Sequence, residues 1–206
     1  MSKSSNTRDI CLLPLIVVVG PPCSGKTEFA KAIEQLGFYR LEWGAFLRSI
    51  LHLDKTDRKS ILYSITDHIA EHGRLCLVDQ LIQKIQKDID NTTIYKGVVI
   101  SGARHPIELS YLLGHFRKHR VLHVYSDVNT RFSRSVKRDR RTDPVNLNGF
   151  IRNDMLEYQM GLAQVVSDLT DDIIENSGNL SNLKEKARFY VENWLGHLEG
   201  MYYESI

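Results

Sequence analysis

The sequence predicts an α/β fold in three layers, with a five-stranded parallel sheet between two layers of helices. Three observations predict it. Short apolar runs recur along the chain and read as buried strands. Between them lie longer segments whose apolar residues return at helical spacing, so the strands are joined by crossovers and run parallel. A glycine-bracketed turn joins the first strand to the first helix.

Residues 1–9 are polar and read as a flexible tail. The apolar run from Ile10 to Val19 is assigned to the first strand. It has the look of a signal-peptide core, but it leads straight into the turn motif described below and is kept as structure. In the helix that starts at Lys26, Phe29, Ala30, Ile33 and Leu36 share one face, and Gly37 supplies the stop. Residues 38–41 form a second strand. Helices are expected over 45–51, 61–72 and 75–89, with a polar connection at 53–60 and Gly73 between the last two. After a turn region at 91–96, residues 97–100 form the third strand. Pro106 fits the first turn of a helix over 107–118, with Glu108 near its positive end. Residues 121–125 form the fourth strand, and Asp127 caps a helix over 128–141 that Asp143-Pro144 breaks. Asn148 caps a helix over 149–168, residues 172–176 form the fifth strand, and a last helix spans 181–195.

The turn reads Gly20-Pro-Pro-Cys-Ser-Gly25-Lys26-Thr27. Two glycines bracket four residues and Lys-Thr follows, which is the spacing of a phosphate-binding P-loop. Gly20 lets the chain leave the strand sharply, and Gly25 lets the backbone come close to a polyphosphate. Backbone N–H groups over 22–27 (Pro22 has none) form an anion nest, reinforced by the positive end of the helix. Pro22, Cys23, Ser24 and Gly25 then surround a polyphosphate, Lys26 reaches its outer phosphates, and the Thr27 hydroxyl is placed to ligate Mg²⁺. The fold expected is the P-loop NTPase fold. Ligands of such sheets sit at the carboxyl ends of the strands. Residues 42–48, Arg104, His105 and Asn176 all fall there.

Arg131, Arg134, Arg138 and Arg141 lie within a sector of about 80° on one helix. This stripe has three readings: a solvated face, a nucleic-acid patch, or a phosphate clamp. No aromatic platform interleaves it, which weighs against nucleic acid. The clamp is favoured, because fixed guanidinium groups stabilise the charge that spreads over a transferring phosphoryl group. A helix pair broken at 143–148 would close over the nucleotide as a lid.

Hydrophobic content of 42%, charged content of 25% and a net charge of +2 describe a globular chain with no bias toward nucleic acid or membrane. Three cysteines without metal or redox spacing point to a reduced, cytoplasmic protein. No run is long enough to span a bilayer.

Several stretches together resemble the nucleoside monophosphate kinases, the P-loop group that includes adenylate kinase. They are 20–28 with Leu-Gly-Phe at 36–38, Trp-Gly-Ala-Phe-Leu-Arg48, Val-Ile-Ser-Gly-Ala-Arg104-His-Pro-Ile-Glu, Arg131 through Asp139 to Asp143-Pro144, and Ile-Ile-Glu-Asn-Ser-Gly178 with Leu183. The branch most similar is the dephospho-CoA-kinase-like or deoxynucleotide-kinase-like one. The resemblance implies a single kinase domain over 10–206, with its core at 10–43, 91–130 and 170–195. An acceptor-binding helical insertion would lie at 44–90 and a helical lid at 131–168. It implies ATP and Mg²⁺ as cofactors and a small nucleotide as acceptor, foremost a nucleoside or deoxynucleoside monophosphate. Lys26, Arg104, Arg138 and Arg141 would be catalytic, Arg134 and Asn176 would bind ATP, and Glu42, Arg48 and Arg104 would bind the acceptor.

The chain departs from the family twice. Ala45 and Ser101 stand where Asp is common. At the second position an Asp would organise Mg²⁺ through water, and Ser holds a water without bringing charge. The departures leave open a displaced carboxylate, with Glu42 and Asp79 as candidates, or a catalytically weak nucleotide-binding switch. A hydroxyl acceptor, as in dephospho-CoA, a nucleoside or nucleic acid, also stays open and would require a base, for which Glu42 is first choice.

Overall fold

The centre of the molecule is β1 (Leu15–Val19), every residue of which is buried. Such a strand needs a neighbour on each side and a helical layer on each face. It pairs in parallel with β3 (Gly97–Ser101) and with β4 (His119–Tyr125). β2 (Phe38–Glu42) and β5 (Asp172–Glu175) complete a parallel sheet of order β2-β3-β1-β4-β5. The computed structural model describes residues 9–53, 58–90, 94–139 and 144–203, the side chains of 58–62, 90 and 199–203 excepted.

On one face lie α1 (Lys26–Glu34) and α9 (Leu180–Tyr203). Phe29, Ala30 and Ile33 of α1 pack with Ile16, Val18, Val99 and, from α9, Leu183, Ala187, Val191 and Trp194. The opposite face carries α2 (Trp43–Ile50), α4 (Cys76–Asp90), α5 (Pro106–Leu113) and α8 (Ala163–Asp168) over Leu15, Val17, Val19, Val98 and Ile100. With α3 (Arg58–His72), α2 and α4 form the helical insertion between β2 and β3. It is tied back to the core by Tyr111 Oη donating to Asp79 at 2.9 Å and by an Arg74–Glu108 ion pair at 3.1 Å.

The sequence is corrected in several places. Ile10–Leu12 is a 3-10 turn and not part of the first strand. The Asp9 carboxylate accepts from Cys11 N, and this local bond diverts the chain before Pro14. The helix expected over 107–118 ends at Leu113, and β4 starts at His119. The cap of α7 (Leu147–Glu157) is Asn146, whose Oδ1 accepts from Gly149 N at 2.8 Å; Asn148 lies inside the helix. The single helix expected over 149–168 is interrupted by a π-helical turn, Tyr158–Leu162. Gly161 adopts φ +121° there, and a Cβ on it would press on Arg104 O and Pro106 Cδ. The glycine lets the helix approach the strand-end loop closely. The last helix runs on to Tyr203 instead of stopping at 195. Asp127 caps α6 (Val128–Arg138) as expected, accepting from Thr130 N at 2.9 Å. Residues 54–57, Arg141 and Asp143 lie outside the described residues.

α6 and α7 are held together by one buried ion pair. The Arg131 guanidinium donates two bonds to the Asp154 carboxylate, one of them at 2.6 Å, and a third to Ser126 O at 2.9 Å. Both partners are buried. Breaking a buried pair strands a charge, whereas replacing both partners by apolar groups removes the desolvation cost with the attraction. Asp154→Ala is therefore expected to destabilise the fold by about 3–5 kcal/mol, and the double replacement Arg131→Met with Asp154→Leu by much less. Urea unfolding of the three proteins checks this; equal losses in the single and double variants would refute it.

Candidate functional site

β1 delivers the chain to the carboxyl edge of the sheet between β3 and β4, where the strand order reverses. The loop 20–25 turns there with Gly20 at φ +148°, Cys23 at +60° and Gly25 at +101°. Positive φ values alternating with right-handed ones curl successive N–H groups toward one point. No side chain caps the start of α1. The outward side of the loop is fully occupied. Asn176 Nδ2 donates to Ser24 O at 2.8 Å, and Arg131 Nη1 donates to Pro22 O at 3.3 Å. Arg134 makes long contacts to Cys23 O and Ser24 O, both 3.5 Å, and a short one to Asn176 O at 2.8 Å. A Cβ at Gly20 would run into Val124 O and Ser24 Oγ, and one at Gly25 into the Asn176 amide. Glycine is thus required at both bracket positions by what lies behind the loop as well as by backbone conformation.

Lys26 feels several charged groups at once. Its ammonium folds back to donate to Pro21 O at 3.1 Å. Burial first, and then the Arg104 guanidinium, lower its pKa to about 7; the Glu42 carboxylate and Cys23 act in the opposite direction, and Arg138 adds to the lowering. Three other residues picked out from sequence, Glu42, Arg104 and Arg138, are therefore each within electrostatic reach of Lys26. Arg104 follows β3 and pairs with Glu157 of α7 at 2.6 Å, its own side chain staying 42% exposed. Arg138 is exposed in the last turn of α6. Arg48 lies across Gly44 in α2, with Nη1 3.4 Å from where a Cβ on that glycine would stand. Asn176, Ser177, Gly178 and Lys186 line a shallow cleft beside the loop.

The four-arginine stripe has divided. Arg131 is spent on Asp154 and the loop, and Arg134 on the loop and on Asn176 O and Gly178 O. Sequence reasoning missed Asp154 and Glu157, two buried acids three residues apart on α7 that each hold an arginine. Their i, i+3 spacing puts both on one face of α7, but nothing in the sequence pairs either acid with its arginine.

The residues fit Mg²⁺ together with a nucleotide. Ser24 Oγ and Ser101 Oγ are buried without a hydrogen-bond partner. Among the described residues no group of three or more His, Cys, Asp or Glu side chains is placed to hold a metal ion by itself. A cation here would depend on phosphate oxygens for much of its coordination.

Fold and loop together define a parallel α/β architecture with a P-loop after its central strand. The structure resembles shikimate kinase from Acinetobacter baumannii in complex with shikimate, with a TM-score of 0.58 and 14% identity over 93% of this chain and 98% of that one. It also resembles a gluconokinase from Sinorhizobium meliloti, with a TM-score of 0.56 and 14% identity over 97% and 100% of the two chains. At that identity the likeness concerns the fold. It matches the expected α/β fold and does not bear on the nucleoside monophosphate or dephospho-CoA branch that the sequence resembles. No family model matches the chain. In sequence, the chain is 30% identical to the UPF0200 protein of Pyrococcus horikoshii over 188 residues, 89% of this chain and 98% of that one. It is 28% identical to that of Thermoplasma volcanium over 84% and 94%. The chain belongs to the UPF0200 family. Among the described residues no helix is long and apolar enough to cross a membrane.

The lowered pKa of Lys26 has a measurable consequence. A polyphosphate favours the charged ammonium, so the pKa rises on binding and a proton is taken up wherever the free group is neutral. At pH 8, calorimetric ATP titrations in buffers of different ionisation enthalpy are expected to show uptake of roughly one proton. Lys26→Met is expected to remove that uptake, and affinity to fall as pH rises above about 7. Buffer-independent heats in the unmodified protein would contradict the assignment.

Proposed function

We propose that the protein is an ATP- and Mg²⁺-dependent phosphotransferase that moves the γ-phosphoryl group of ATP to a small nucleotide-like acceptor. The observation that carries this reading is that Arg104 and Arg138 act electrostatically on Lys26 at a phosphate loop whose carbonyls are held by Arg131 and Asn176. A transferring phosphoryl group carries charge on three oxygens and asks for fixed cations around it rather than for covalent chemistry. Lys26 takes the outer phosphates, the N–H groups of 23–27 cradle the inner ones, and Arg138 approaches from α6. Arg104, held by Glu157 after β3 and within electrostatic reach of Lys26, would meet an acceptor phosphate. Arg48 on α2 is the second cation for that acceptor. Asn176 and the cleft at 176–178 are the place for the donor base. Bound Mg²⁺ supplies charge neutralisation on the phosphates. A nucleoside or deoxynucleoside monophosphate is the favoured acceptor, because Arg48 and Arg104 offer two cations beyond those needed for ATP.

A second reading rests on a specific observation. The structural neighbours include a shikimate kinase and a gluconokinase. Kinases of that kind place the phosphoryl group on a small hydroxyl compound, for which Glu42 would serve as base.

A panel of nucleoside monophosphates, dephospho-CoA, shikimate and gluconate with labelled ATP separates the readings. Transfer to a monophosphate, lost by a factor of 100 or more (about 2.7 kcal/mol) in Lys26→Met, is the expected result. Transfer to a hydroxyl compound alone supports the second reading. ATP binding with no transfer to any acceptor overturns both in favour of a nucleotide-binding switch. An acceptor at a hundred times its dissociation constant should also add about 2.7 kcal/mol of stability.

A further inference from the structure

Ser101 brings no charge to the edge of β3, so the question is which group does. The register of the sheet answers it. Glu42 is the residue directly opposite Ser101 in the parallel β2–β3 pair, about 4.8 Å away across the ladder. Side chains alternate along a strand, so Glu42 faces the same way as Arg40, whose guanidinium reaches Glu34 of α1 at 2.7 Å. Ser101 likewise shares its face with Val99, which packs against Phe29 and Ile33 of α1. Both side chains therefore lie on the α1 side of the sheet, beneath the start of the helix that carries Lys26 and Thr27. The Ser101 hydroxyl is 1% exposed and has no protein partner, so a water or an ion's hydration shell is its natural complement. The other candidate, Asp79, accepts from Tyr111 at 2.9 Å within the α4–α5 contact and holds the helical insertion to the core.

We propose that Glu42 is the carboxylate of the cation site, moved one strand sideways, and that with the Ser101 and Thr27 hydroxyls it holds through water the divalent ion that a nucleotide brings to the loop. This rests on the phosphotransferase reading and deepens it. It makes Glu42 a group of the donor side. The charge balance agrees: Lys26, Arg104 and Arg138 crowd the loop with positive charge, and Glu42 is the carboxylate acting on Lys26. A single carboxylate with two hydroxyls is too weak a set to hold Mg²⁺ without phosphate oxygens, which fits the lack of a three-residue cluster among the described residues.

The test is the affinity of a fluorescent ATP analogue with Mg²⁺ and with EDTA, in the unmodified protein, Glu42→Gln and Glu42→Asp. Glu42→Gln keeps the shape, and circular dichroism confirms its fold. The expected result is that Mg²⁺ tightens binding in the unmodified protein and that Glu42→Gln loses about 10- to 100-fold of that tightening. Metal-free affinity should stay the same or improve, and Glu42→Asp should keep part of the effect. Equal Mg²⁺ dependence in all three proteins overturns the assignment. So does a Glu42→Gln variant that loses turnover alone, which is the signature of a base on the acceptor. Failure of the unmodified protein to bind the analogue at all overturns instead the phosphotransferase reading beneath it.

Discussion

A loop that turns its N–H groups toward an anion must turn its carbonyls away from it, and buried carbonyls need donors of their own. Everything at the carboxyl edge of this sheet depends on meeting that demand. Arg131 takes Pro22 O, Asn176 takes Ser24 O, and Arg134 spans the gap to Asn176 O and Gly178 O. Three elements remote in sequence, α1, α6 and the turn after β5, are joined through the back of one loop. The front is left with N–H groups and no side-chain cap. A binding surface arranged in advance does not spend ligand affinity on ordering itself.

The arginines divide by what lies opposite them. Where α7 presents a buried carboxylate, an arginine is fixed: Asp154 holds Arg131 and Glu157 holds Arg104. Arg131 is committed, with its side chain buried and its guanidinium donating to Asp154, Ser126 O and Pro22 O. Arg104 keeps 42% of its side chain exposed, so the pair orients it without consuming it. Gly161 makes this possible, because only a residue without a Cβ lets the π-helical turn settle against Arg104 O. The two acids couple the helix pair to both sides of the phosphate loop.

The fold was legible where one local rule decided the outcome. The β-branched run of β1, the amphipathic face of α1, Gly37 and Gly73 at positive φ, and the Asp127 cap were read correctly because each depends on its own neighbours. The errors lie where two local rules compete. Ile10 to Leu12 is apolar enough for a strand but is captured by the Asp9 carboxylate. Asn146 and Asn148 are equally good caps, and the chain path after Pro144 selects the first. For the site, the loop and its two glycines were visible in the spacing. The duties of Arg131 and Arg134 were not, because periodicity places them on one stripe and says nothing of a partner 23 residues away in α7. The pairing of Glu42 with Ser101 was equally hidden, since sheet register is a tertiary fact.

The central claim is that a nucleotide's phosphates rest on the inward N–H groups of this one loop. Amide chemical shifts of the ¹⁵N-labelled protein during a titration with Mg·ATP test it most directly. The account predicts that the largest changes fall on Ser24, Gly25, Lys26 and Thr27, with smaller ones at Ser101 and Arg104. The amides of the α4–α5 contact around Asp79 and Tyr111 should stay still. No shift in the loop, or shifts concentrated on another surface, would contradict it.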